Sequence, residues 1–329
     1  MSTILPERIL LTGVAGFIAS RTAALLLDRG CSVLGVDNLN DYYDPRIKEH
    51  RLRALKAQDK FAFVRGDIEQ FEAVRDWCRD FRPQAILNLA ARAGVRYSME
   101  NPWVYLQTNA QGTLNLLEAM RELEIPKLVL ASTSSLYAGH PLPFTEDMPV
   151  NAPISTYAAS KKSAELLGHA YHHLYGVDVS VVRYFTVYGP AGRPDMCIFR
   201  FIRWIDEGLP IQLFGDGRQS RDFTYVDDIA EGTIAALKPV GYEIVNLGGG
   251  REPVDLLTVI GLIEERLGKQ ARIEFLEPFR ADVKETRAEI GKAKRLFDWE
   301  PRVGLEEGLA ACVDWYLANR AWVNEVELP

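Results

Sequence analysis

Cysteine is scarce in this chain, and the arrangement of the few cysteines excludes two common kinds of site. The 329 residues include Cys31, Cys78, Cys197 and Cys312, with no CxxC pair and no histidine beside any of them. Disulfide frameworks and zinc sites bring cysteines together at short, regular spacings. We therefore expect reduced, buried thiols and, with them, a cytoplasmic location.

The chain also lacks long apolar runs and blocks of basic residues. No run approaches the length of a membrane span, and the N-terminal stretch RILLTGVAGFIAS does not show the order of basic, apolar and small residues of a signal peptide. The net charge is −7 and the lysines and arginines do not cluster, which argues against a nucleic-acid partner. We expect neither a membrane nor a nucleic acid as a partner.

Histidine is equally rare, although three of the five histidines stand together. His169, His172 and His173 share a predicted helix at spacings that could bring metal ligands to one face. No cluster of carboxylates or cysteines accompanies them, so we expect no metal site.

Short apolar runs alternate with longer helix-like stretches through the first part of the chain. The runs occupy residues 9–11, 33–36, 61–64, 85–89, 128–130 and 177–184. Such alternation predicts right-handed βαβ units. The expected fold class is α/β, with a doubly wound parallel sheet of the Rossmann type.

Beyond about residue 185 the pattern loosens into loops that are rich in aromatic residues and arginine. Amphipathic helices are predicted there at residues 254–267 and 305–320. We predict a Rossmann domain over residues 1–185, to which a segment around 221–250 returns. Residues 186–329 are then mainly a smaller C-terminal α/β lobe that binds the substrate.

A glycine-rich turn, LLTGVAGFIAS, lies between the first predicted strand and the first helix. Gly13, Gly16 and Ala19 follow one another at intervals of three residues, which allows a tight turn and close approach of a pyrophosphate to a helix N-terminus. Asp37 ends the next strand in LGVDN, where a carboxylate can accept both hydroxyls of an adenosine ribose. An acid there would repel a 2′-phosphate, so the pattern favours NAD over NADP.

Two further stretches support a dinucleotide site. Asp67 in RGDIE ends the third strand and could contact the adenine amino group, or it could cap the following helix; the two roles can coexist. Ala90 and Ala91 in LNLAARAG are small enough to let a loop pass close to the cofactor.

Tyr157 and Lys161, in STYAASKKSAEL, stand four residues apart at the start of a predicted helix and face the same way. An ammonium close to a phenol favours the phenolate, which makes tyrosine a usable general base near neutral pH. The alternative is an ordinary amphipathic helix in which the two residues meet by chance.

Four consecutive hydroxyl residues, Ser132 to Ser135, follow the predicted strand at 128–130. The simple interpretation is a turn whose side chains satisfy loose backbone groups.

These motifs occur together in the order found in the extended short-chain dehydrogenase/reductases that act on nucleotide sugars, which the chain resembles over nearly its whole length. Within that group VDNLNDYYDPRIKEHRL, AGVRYSMENP and FTVYGPAGRPDM look most like the UDP-glucuronate 4-epimerases. The resemblance implies tightly bound NAD, a UDP-sugar substrate and a homodimer.

The resemblance also implies roles for individual residues. Tyr157 takes the proton of the sugar 4-hydroxyl, Lys161 holds the nicotinamide ribose, and Thr133 helps to relay the proton. The full set of implied cofactor contacts is Gly13, Gly16, Phe17, Ile18, Asp37, Asn38, Asp67, Ile68, Leu89, Ala90, Ala91, Asn109, Tyr157, Lys161 and Tyr184.

The resemblance also bears on the four hydroxyl residues, because relatives with other activities carry different residues at the same positions. Dehydratases place an Asp-Glu pair after the threonine, and decarboxylases generally keep a glutamate in this stretch, whereas this chain has Ser134 and Ser135. By resemblance Ser134, Ser135 and Thr186 bind a C6 carboxylate, with Arg193 nearby. This leaves the turn interpretation for Ser132 alone. Thr186 also distinguishes the chain from epimerases of neutral hexoses, which usually have asparagine there.

The remaining implied contacts concern the UDP group and the sugar. Arg221 in SRDFTYVDD aligns with an arginine directed at the diphosphate, its alternative being an ion pair with Asp222 or Asp227. The late motif departs from the family, with Ala281-Asp282 in place of Gly-Asp; Arg280 and Asp282 are assigned to the diphosphate and the uridine ribose. Arg92 replaces a frequent glutamine. Arg96, like Arg92, could contact sugar or phosphate or face solvent.

The leading hypothesis is a UDP-glucuronate 4-epimerase. The alternatives are a 4-epimerase of neutral UDP-hexoses, a UDP-glucuronate decarboxylase-like enzyme, and a non-catalytic NAD-binding sensor. Intact Thr133, Tyr157 and Lys161 argue against the sensor.

Overall fold

Thirteen strands lie in residues 5–277 and 283–328, the part of the chain that the computed structural model describes. They are β1 (Arg8–Thr12), β2 (Ser32–Asp37), β3 (Phe61–Arg65), β4 (Ala85–Asn88), β5 (Lys127–Thr133), β6 (Asp178–Tyr184), β7 (Thr186–Tyr188), β8 (Pro210–Phe214), β9 (Ser220–Arg221), β10 (Phe223–Tyr225), β11 (Tyr242–Leu247), β12 (Val254–Asp255) and β13 (Arg272–Leu276).

Twelve α-helices lie in the same described ranges. They are α1 (Phe17–Asp28), α2 (Pro45–Lys56), α3 (Phe71–Phe81), α4 (Tyr97–Glu100), α5 (Trp103–Tyr105), α6 (Gly112–Glu122), α7 (Thr156–Tyr175), α8 (Cys197–Glu207), α9 (Val226–Ala235), α10 (Leu256–Leu267), α11 (Gly291–Phe297) and α12 (Leu305–Val323). A π-helical turn, Leu106–Gln111, joins α5 to α6, and a 3-10 turn, Ser134–Tyr137, follows β5. None of the helices in the described part of the chain is long and apolar enough to cross a membrane.

The central sheet has seven strands in the order β11-β6-β5-β4-β1-β2-β3, and all neighbours pair in parallel. The chain winds outward from β1 to β3, then returns to the middle at β4 and winds the other way. The predicted doubly wound α/β sheet is therefore confirmed. The winding reverses between β1 and β4, and in such sheets ligands bind beyond the carboxyl ends of the strands at that point.

Alternate residues of the strands enter two different cores. In β1, Ile9 and Leu11 pack into the core under α1 and α9, whereas Leu10 packs into the core under α3, α6 and α7. Because successive side chains of a strand point to opposite faces, a strand that is covered on both faces is apolar throughout. Burial on both faces therefore explains why the apolar runs in the sequence are continuous and do not alternate with polar residues.

The later part of the chain adds a lobe with its own core. Helices α8, α10 and α12 pack together beside the parallel pair β8–β13, and their apolar side chains form a separate cluster. Between these elements the chain returns to the sheet, since α9 packs on α1 and β11 pairs with β6. The domain boundaries given above remain a prediction.

Candidate active site

A cleft of about 1310 Å³ opens at the carboxyl ends of the central strands, between the sheet and the C-terminal lobe. It is lined by residues that follow β1, β2, β4, β5 and β6 and, from the other side, by residues of α8, β8 and β9. The cleft thus lies at the switch point of the sheet, where α/β folds bind nucleotides.

The glycine turn packs against the loop after β4 so closely that side chains are excluded. Gly13 has φ +70°, and a Cβ on it would lie 2.7 Å from the backbone nitrogen of Ala90. A Cβ on Gly16 would lie 2.8 Å from the carbonyl oxygen of Gly13. Gly16 caps α1, and Phe17 and Ile18 line the cleft at the helix N-terminus, where a phosphate is stabilised by the helix dipole.

Asp37 holds this turn while it faces the cleft. Its Oδ2 accepts a hydrogen bond from the backbone N–H of Ala15 at 3.0 Å, and its Oδ1 accepts one from Leu39 at 2.8 Å. Carboxylate oxygens have further lone pairs, so the ribose contact predicted for Asp37 is compatible with these bonds.

Asp67 lies beside Asn38, whose Nδ2 donates to Asp67 Oδ2 at 2.8 Å. Its other oxygen accepts from the backbone N–H of Glu69 at 3.0 Å in a local turn. It does not cap α3, because the residue at that position is Gln70. Both Asn38 and Asp67 line the cleft.

One predicted cofactor contact lies away from the cleft. Asn109, in the π-helical turn, is 1% exposed and is absent from the lining. Its Nδ2 donates to the carbonyl oxygen of Arg92 and to Ser160 Oγ, both at 2.9 Å, and its Oδ1 accepts from the backbone N–H of Arg92. Both amide N–H donors are thus used in joining the loop after β4 to α7. The other predicted cofactor residues all line the cleft: Gly13, Gly16, Phe17, Ile18, Asp37, Asn38, Asp67, Ile68, Leu89, Ala90, Ala91, Tyr157, Lys161 and Tyr184.

Tyr157 and Lys161 are set by the first turns of α7. Ser155 caps the helix by accepting from the backbone N–H of Ala158 at 3.1 Å. Both side chains line the cleft, and Lys161 Nζ donates to the carbonyl oxygen of Ala131 at 2.9 Å.

The pKa of Tyr157 differs from the expectation. Burial raises it, while the hydrogen bond with Thr133 and the charge of Arg193 oppose the rise. Burial also lowers the pKa of Lys161 to about 8. The tyrosine pKa is thus raised and not lowered, because loss of water around the phenolate outweighs the neighbouring charges.

The hydroxyl run divides into two parts. Ser132 is a buried residue of β5, and its Oγ donates to Glu165 Oε1 at 2.6 Å; its assignment to a turn is wrong, because the strand continues to Thr133. Thr133 ends the strand and caps the 3-10 turn, accepting from the backbone N–H of Ser135 at 3.1 Å. Thr133, Ser134 and Ser135 line the cleft.

Thr186 and Arg193 reach the same cleft from β7 and the loop that follows it. Arg193 Nε donates to Asp195 Oδ1 at 2.9 Å. Burial disfavours both charges, yet the pair raises the pKa of Arg193 and lowers that of Asp195. The guanidinium is therefore a fixed positive charge at the cleft.

The residues predicted to bind the UDP group are only partly described. Arg221 lines the cleft, and its Nη1 donates to the carbonyl oxygens of Ser220 and Lys284. One alternative partner, Asp227, pairs with Arg21 at 2.7 Å. Arg280 and Asp282 lie outside the described residues. The guanidinium of Arg96 stacks over the ring of Phe214, 4.0 Å from its centroid, on the opposite side of the cleft.

Two cleft residues, Arg200 and Lys48, carry no signal in the sequence, and a third, Arg92, is one whose role the sequence leaves open. Arg200 on α8 lines the cleft, its Nε is buried without a hydrogen-bond partner among the described residues, and burial lowers its pKa. The Nε of Arg92 is likewise buried without such a partner. Lys48 of α2 also lines the cleft, and burial lowers its pKa to about 8. Only the fold brings these three cations to one place.

Two of the three neighbouring histidines make packing contacts in the described structure, and His173 is exposed. His169 packs edge-on against the ring of Tyr242, and His172 Nδ1 hydrogen-bonds the carbonyl oxygen of Val177 at 2.8 Å. Residues 5–277 and 283–328 contain no group of three or more histidine, cysteine, aspartate or glutamate side chains placed to hold a metal ion.

Comparisons with known proteins agree with this geometry. Residues 9–248 match the model of the NAD dependent epimerase/dehydratase family. The UDP-glucuronate 4-epimerase of Thermodesulfobacterium geofontis (strain OPF15) is 56% identical over 319 residues, which cover 97% of this chain and 99% of that protein.

Two solved structures have the same fold. The UDP-glucuronic acid 4-epimerase from Bacillus cereus in complex with UDP-glucuronic acid and NAD gives a TM-score of 0.89 at 36% identity, covering 95% of this chain and 99% of that one. The UDP-glucose 4-epimerase of Thermus thermophilus with NAD gives 0.86 at 33% identity, covering 94% and 99%.

Proposed function

Since this chain belongs to the NAD dependent epimerase/dehydratase family, we propose that it inverts C4 of UDP-glucuronate to give UDP-galacturonate through a 4-keto sugar. One observation carries the proposal. Thr133, Tyr157 and Lys161 meet in the cleft with Ser134, Ser135 and Thr186. By the resemblance, Ser134 and Ser135 stand where a dehydratase has its Asp-Glu pair.

The residues of the glycine turn fit a dinucleotide. Backbone atoms of the chain occupy the space that a Cβ at Gly13 or Gly16 would fill, so the turn stays tight at the N-terminus of α1. Asp37 ends β2, and Asp67 follows β3 by two residues. NAD bound there supplies the acceptor and donor of a hydride. Its pyrophosphate is assigned to the N-terminus of α1, its adenosine ribose to Asp37, and its nicotinamide ribose to Lys161.

The chain's own residues handle the proton. Tyr157 accepts the proton of the 4-hydroxyl as C4 loses a hydride, and returns it when the hydride comes back to the other face of C4. Thr133, which lines the cleft beside Tyr157, stabilises the hydroxyl and then the ketone oxygen. The Lys161 ammonium favours the phenolate by its charge.

The carboxylate at C6 sets the chemical problem of this reaction. A 4-keto-glucuronate is a β-keto acid and loses CO₂ readily when its carboxylate can rotate into line with the ketone. Hydroxyl donors at Ser134, Ser135 and Thr186 bind the carboxylate without adding negative charge, and Arg193 adds a fixed positive charge. A glutamate at the same place would repel the substrate in a site of low dielectric constant. Arg96, Arg221, Arg280 and Asp282 are assigned to the sugar and the UDP group.

One incubation tests the reaction. Purified protein is mixed with UDP-glucuronate without added NAD, and UDP-galacturonate and CO₂ are followed. We expect UDP-galacturonate and no CO₂. Release of CO₂ with a UDP-pentose would indicate a decarboxylase, conversion of UDP-glucose at the higher rate would indicate a neutral-hexose epimerase, and no turnover would indicate a sensor; each contradicts the proposal.

We also propose that the protein is a homodimer. Apolar side chains are exposed on α7 and on the short helix packed against it: Leu166 is 58% exposed, Leu174 63% and Trp103 72%. Apolar patches of this kind are typical of protein contacts. Sedimentation velocity tests this, with a dimer expected for the wild type and a monomer for Leu166→Lys/Leu174→Lys; a monomeric wild type contradicts it.

We place the protein in the cytoplasm. Its four cysteines are free, and Cys31, Cys78 and Cys312 are buried, which suits a reducing compartment. Cell fractionation tests this, and recovery in a secreted or membrane fraction would contradict it.

A further inference from the structure

Three consecutive residues at the end of β5, Ala131, Ser132 and Thr133, contact residues of α7. Lys161 Nζ donates to the carbonyl oxygen of Ala131 at 2.9 Å. Ser132 Oγ donates to Glu165 Oε1 at 2.6 Å, and the Thr133 hydroxyl lies close enough to Tyr157 to act on the pKa of the phenol. The helix partners follow one another at intervals of four residues, and so lie on one face of α7: Tyr157, Lys161 and Glu165.

Glu165 places a charge in the core directly behind the two catalytic candidates. Its side chain and that of Arg183 on β6 are each 1% exposed. Arg183 Nε donates to Glu165 Oε1 at 2.8 Å and Arg183 Nη2 donates to Oε2 at 2.7 Å, so the pair is bidentate. Replacing a buried ion pair by apolar residues is often neutral or stabilising. Stability alone therefore does not account for this pair.

The charge of Glu165 acts on Lys161. Burial lowers the pKa of Lys161 to about 8, and Glu165 is the group that opposes this shift. The groups that face Glu165 from its own helix and from the packed strands and turn are Lys162, Ser132 of β5, Arg183 of β6, Tyr137 of the 3-10 turn through Arg183, and Tyr242 of β11, whose hydroxyl donates to the Glu165 carbonyl.

We propose that Glu165 is a positioning residue for the reaction: through Ser132 it fixes the strand end that carries Thr133, and through its charge it keeps Lys161 an ammonium. Arg183 holds the Glu165 carboxylate in place through the bidentate ion pair. This role rests on the proposed function and adds to it a group that touches neither substrate nor cofactor.

Two sets of variants separate the two parts of the role. Ser132→Ala removes the bond to the strand and leaves the ion pair. Glu165→Gln/Arg183→Gln removes both charges together, so that no buried charge is left unpaired. Tyr242→Phe is the matched control, because it removes a hydroxyl that touches only the backbone of Glu165. Each protein is assayed as the holoenzyme, with bound NAD and thermal midpoint measured.

We expect Ser132→Ala to lower kcat roughly tenfold with little change in KM, since small displacements of a reacting group cost about this much or more. In the double variant we expect the alkaline limb of the kcat profile to move toward lower pH by up to roughly one unit, because Glu165 acts on the pKa of Lys161 whereas Arg183 is not among the groups that do. Tyr242→Phe should behave as the wild type. A purely structural role would lower the thermal midpoint without moving the limb.

An unchanged kcat in Ser132→Ala, or an alkaline limb in the double variant that superimposes on the wild type, would overturn the proposal. Wild-type turnover of UDP-glucuronate tests the proposed function separately. If the wild type does not turn over, the role of Glu165 is tested by NMR titration of the Lys161 Nζ resonance, which is assigned by comparison with Lys161→Met. We expect this resonance to titrate at lower pH in the double variant than in the wild type. Equal titration in the two proteins would contradict the role of Glu165.

Discussion

Ser134 and Thr186 approach the cleft from the ends of two different strands, β5 and β7. Neither residue is charged, and each can donate one hydrogen bond to a carboxylate oxygen. We propose that together they restrict rotation of the C6 carboxylate in the 4-keto sugar and so protect it from loss of CO₂.

We therefore expect Ser134→Ala/Thr186→Ala to release CO₂ and a UDP-pentose from UDP-glucuronate. The measurement is trapped CO₂ together with chromatography of the UDP-sugars. Ser163→Ala is the control, because this hydroxyl bonds the carbonyl oxygen of Ala159 within α7 and is not in the cleft lining. Epimerisation at the wild-type rate without release of CO₂ would contradict the assignment of Ser134 and Thr186 to the C6 carboxylate.

The phenol of Tyr157 is the only group assigned to take the proton from the substrate. Tyr157→Phe removes the hydroxyl and keeps the ring, which packs edge-on against Tyr105. We expect turnover to fall by about 10²–10⁴-fold, with the thermal midpoint and bound NAD close to wild type. Turnover that survives the substitution would remove the catalytic assignment.

At the scale of single residues, the sequence predicts those site residues that lie only a few positions apart in the chain. The interval between Tyr157 and Lys161 and the order of the glycine turn both lead to cleft residues. Asn109 shows the limit, because its neighbours in sequence do not reveal that Arg92 and Ser160 occupy its amide.

At the scale of elements, α2 holds two loops that belong to opposite sides of the cleft. Arg51 is 7% exposed. Its Nη1 donates to the carbonyl oxygen of Ala15 in the glycine turn, at 3.1 Å, and to the hydroxyl of Tyr43 at 2.8 Å. Its Nε and Nη2 donate to the carbonyl oxygen of Ala191 at 3.0 and 2.7 Å, in the loop that carries Arg193.

Removal of this guanidinium should loosen both loops at once. Arg51→Met leaves the carbonyl oxygen of Ala15 and the hydroxyl of Tyr43, both buried, without this partner, each costing about 1–3 kcal/mol. The half-buried carbonyl oxygen of Ala191 loses its partner as well. We expect a lower free energy of unfolding and loss of bound NAD on gel filtration. Arg53→Met, which changes an exposed arginine of the same helix, is the control. Full NAD retention in Arg51→Met would contradict the coupling.

Element bounds that depend on local patterns are predicted well. The helix predicted at 254–267 is α10 (Leu256–Leu267), and that at 305–320 is α12 (Leu305–Val323). The end of β5 is not, because Ser132 and Thr133 are polar yet remain in the strand through pairing with Arg183 and Tyr184 of β6. A run of hydroxyl residues is locally typical of a turn, and only the pairing with a strand distant in sequence extends β5 through it.

At the scale of the whole molecule, the doubly wound sheet follows from alternation of apolar runs, whereas the contacts that join the lobes do not. Arg51 and Ala191 are 140 residues apart in sequence. Asp222 and Ala288 are 66 apart. Such pairs are brought together by the topology of the chain, so no local spacing encodes them.

Asp222, between β9 and β10, is the buried acid at such a junction. It is 2% exposed, and its Oδ2 accepts from the backbone N–H groups of Ala288 at 2.7 Å and Gly250 at 3.1 Å. Burial raises the pKa of Asp222 from 3.8 to about 6, against the opposing effect of the backbone hydrogen bonds. The Asp222 carboxyl therefore joins the loops that contain Gly250 and Ala288, although burial makes its charged form unfavourable.

The sign of the resulting pH dependence follows from linkage. Between about pH 4 and 6 the folded state binds more protons at Asp222 than the unfolded state does, so the contribution to the free energy of unfolding falls as pH rises through that window. The full difference is at most about 3 kcal/mol, at 1.36 kcal/mol per pKa unit. Urea unfolding at pH 5 and pH 7 of the wild type and Asp222→Asn measures it. The neutral variant should lose this fall in stability, and equal pH dependence of the two proteins would show that Asp222 has an ordinary pKa in the folded chain.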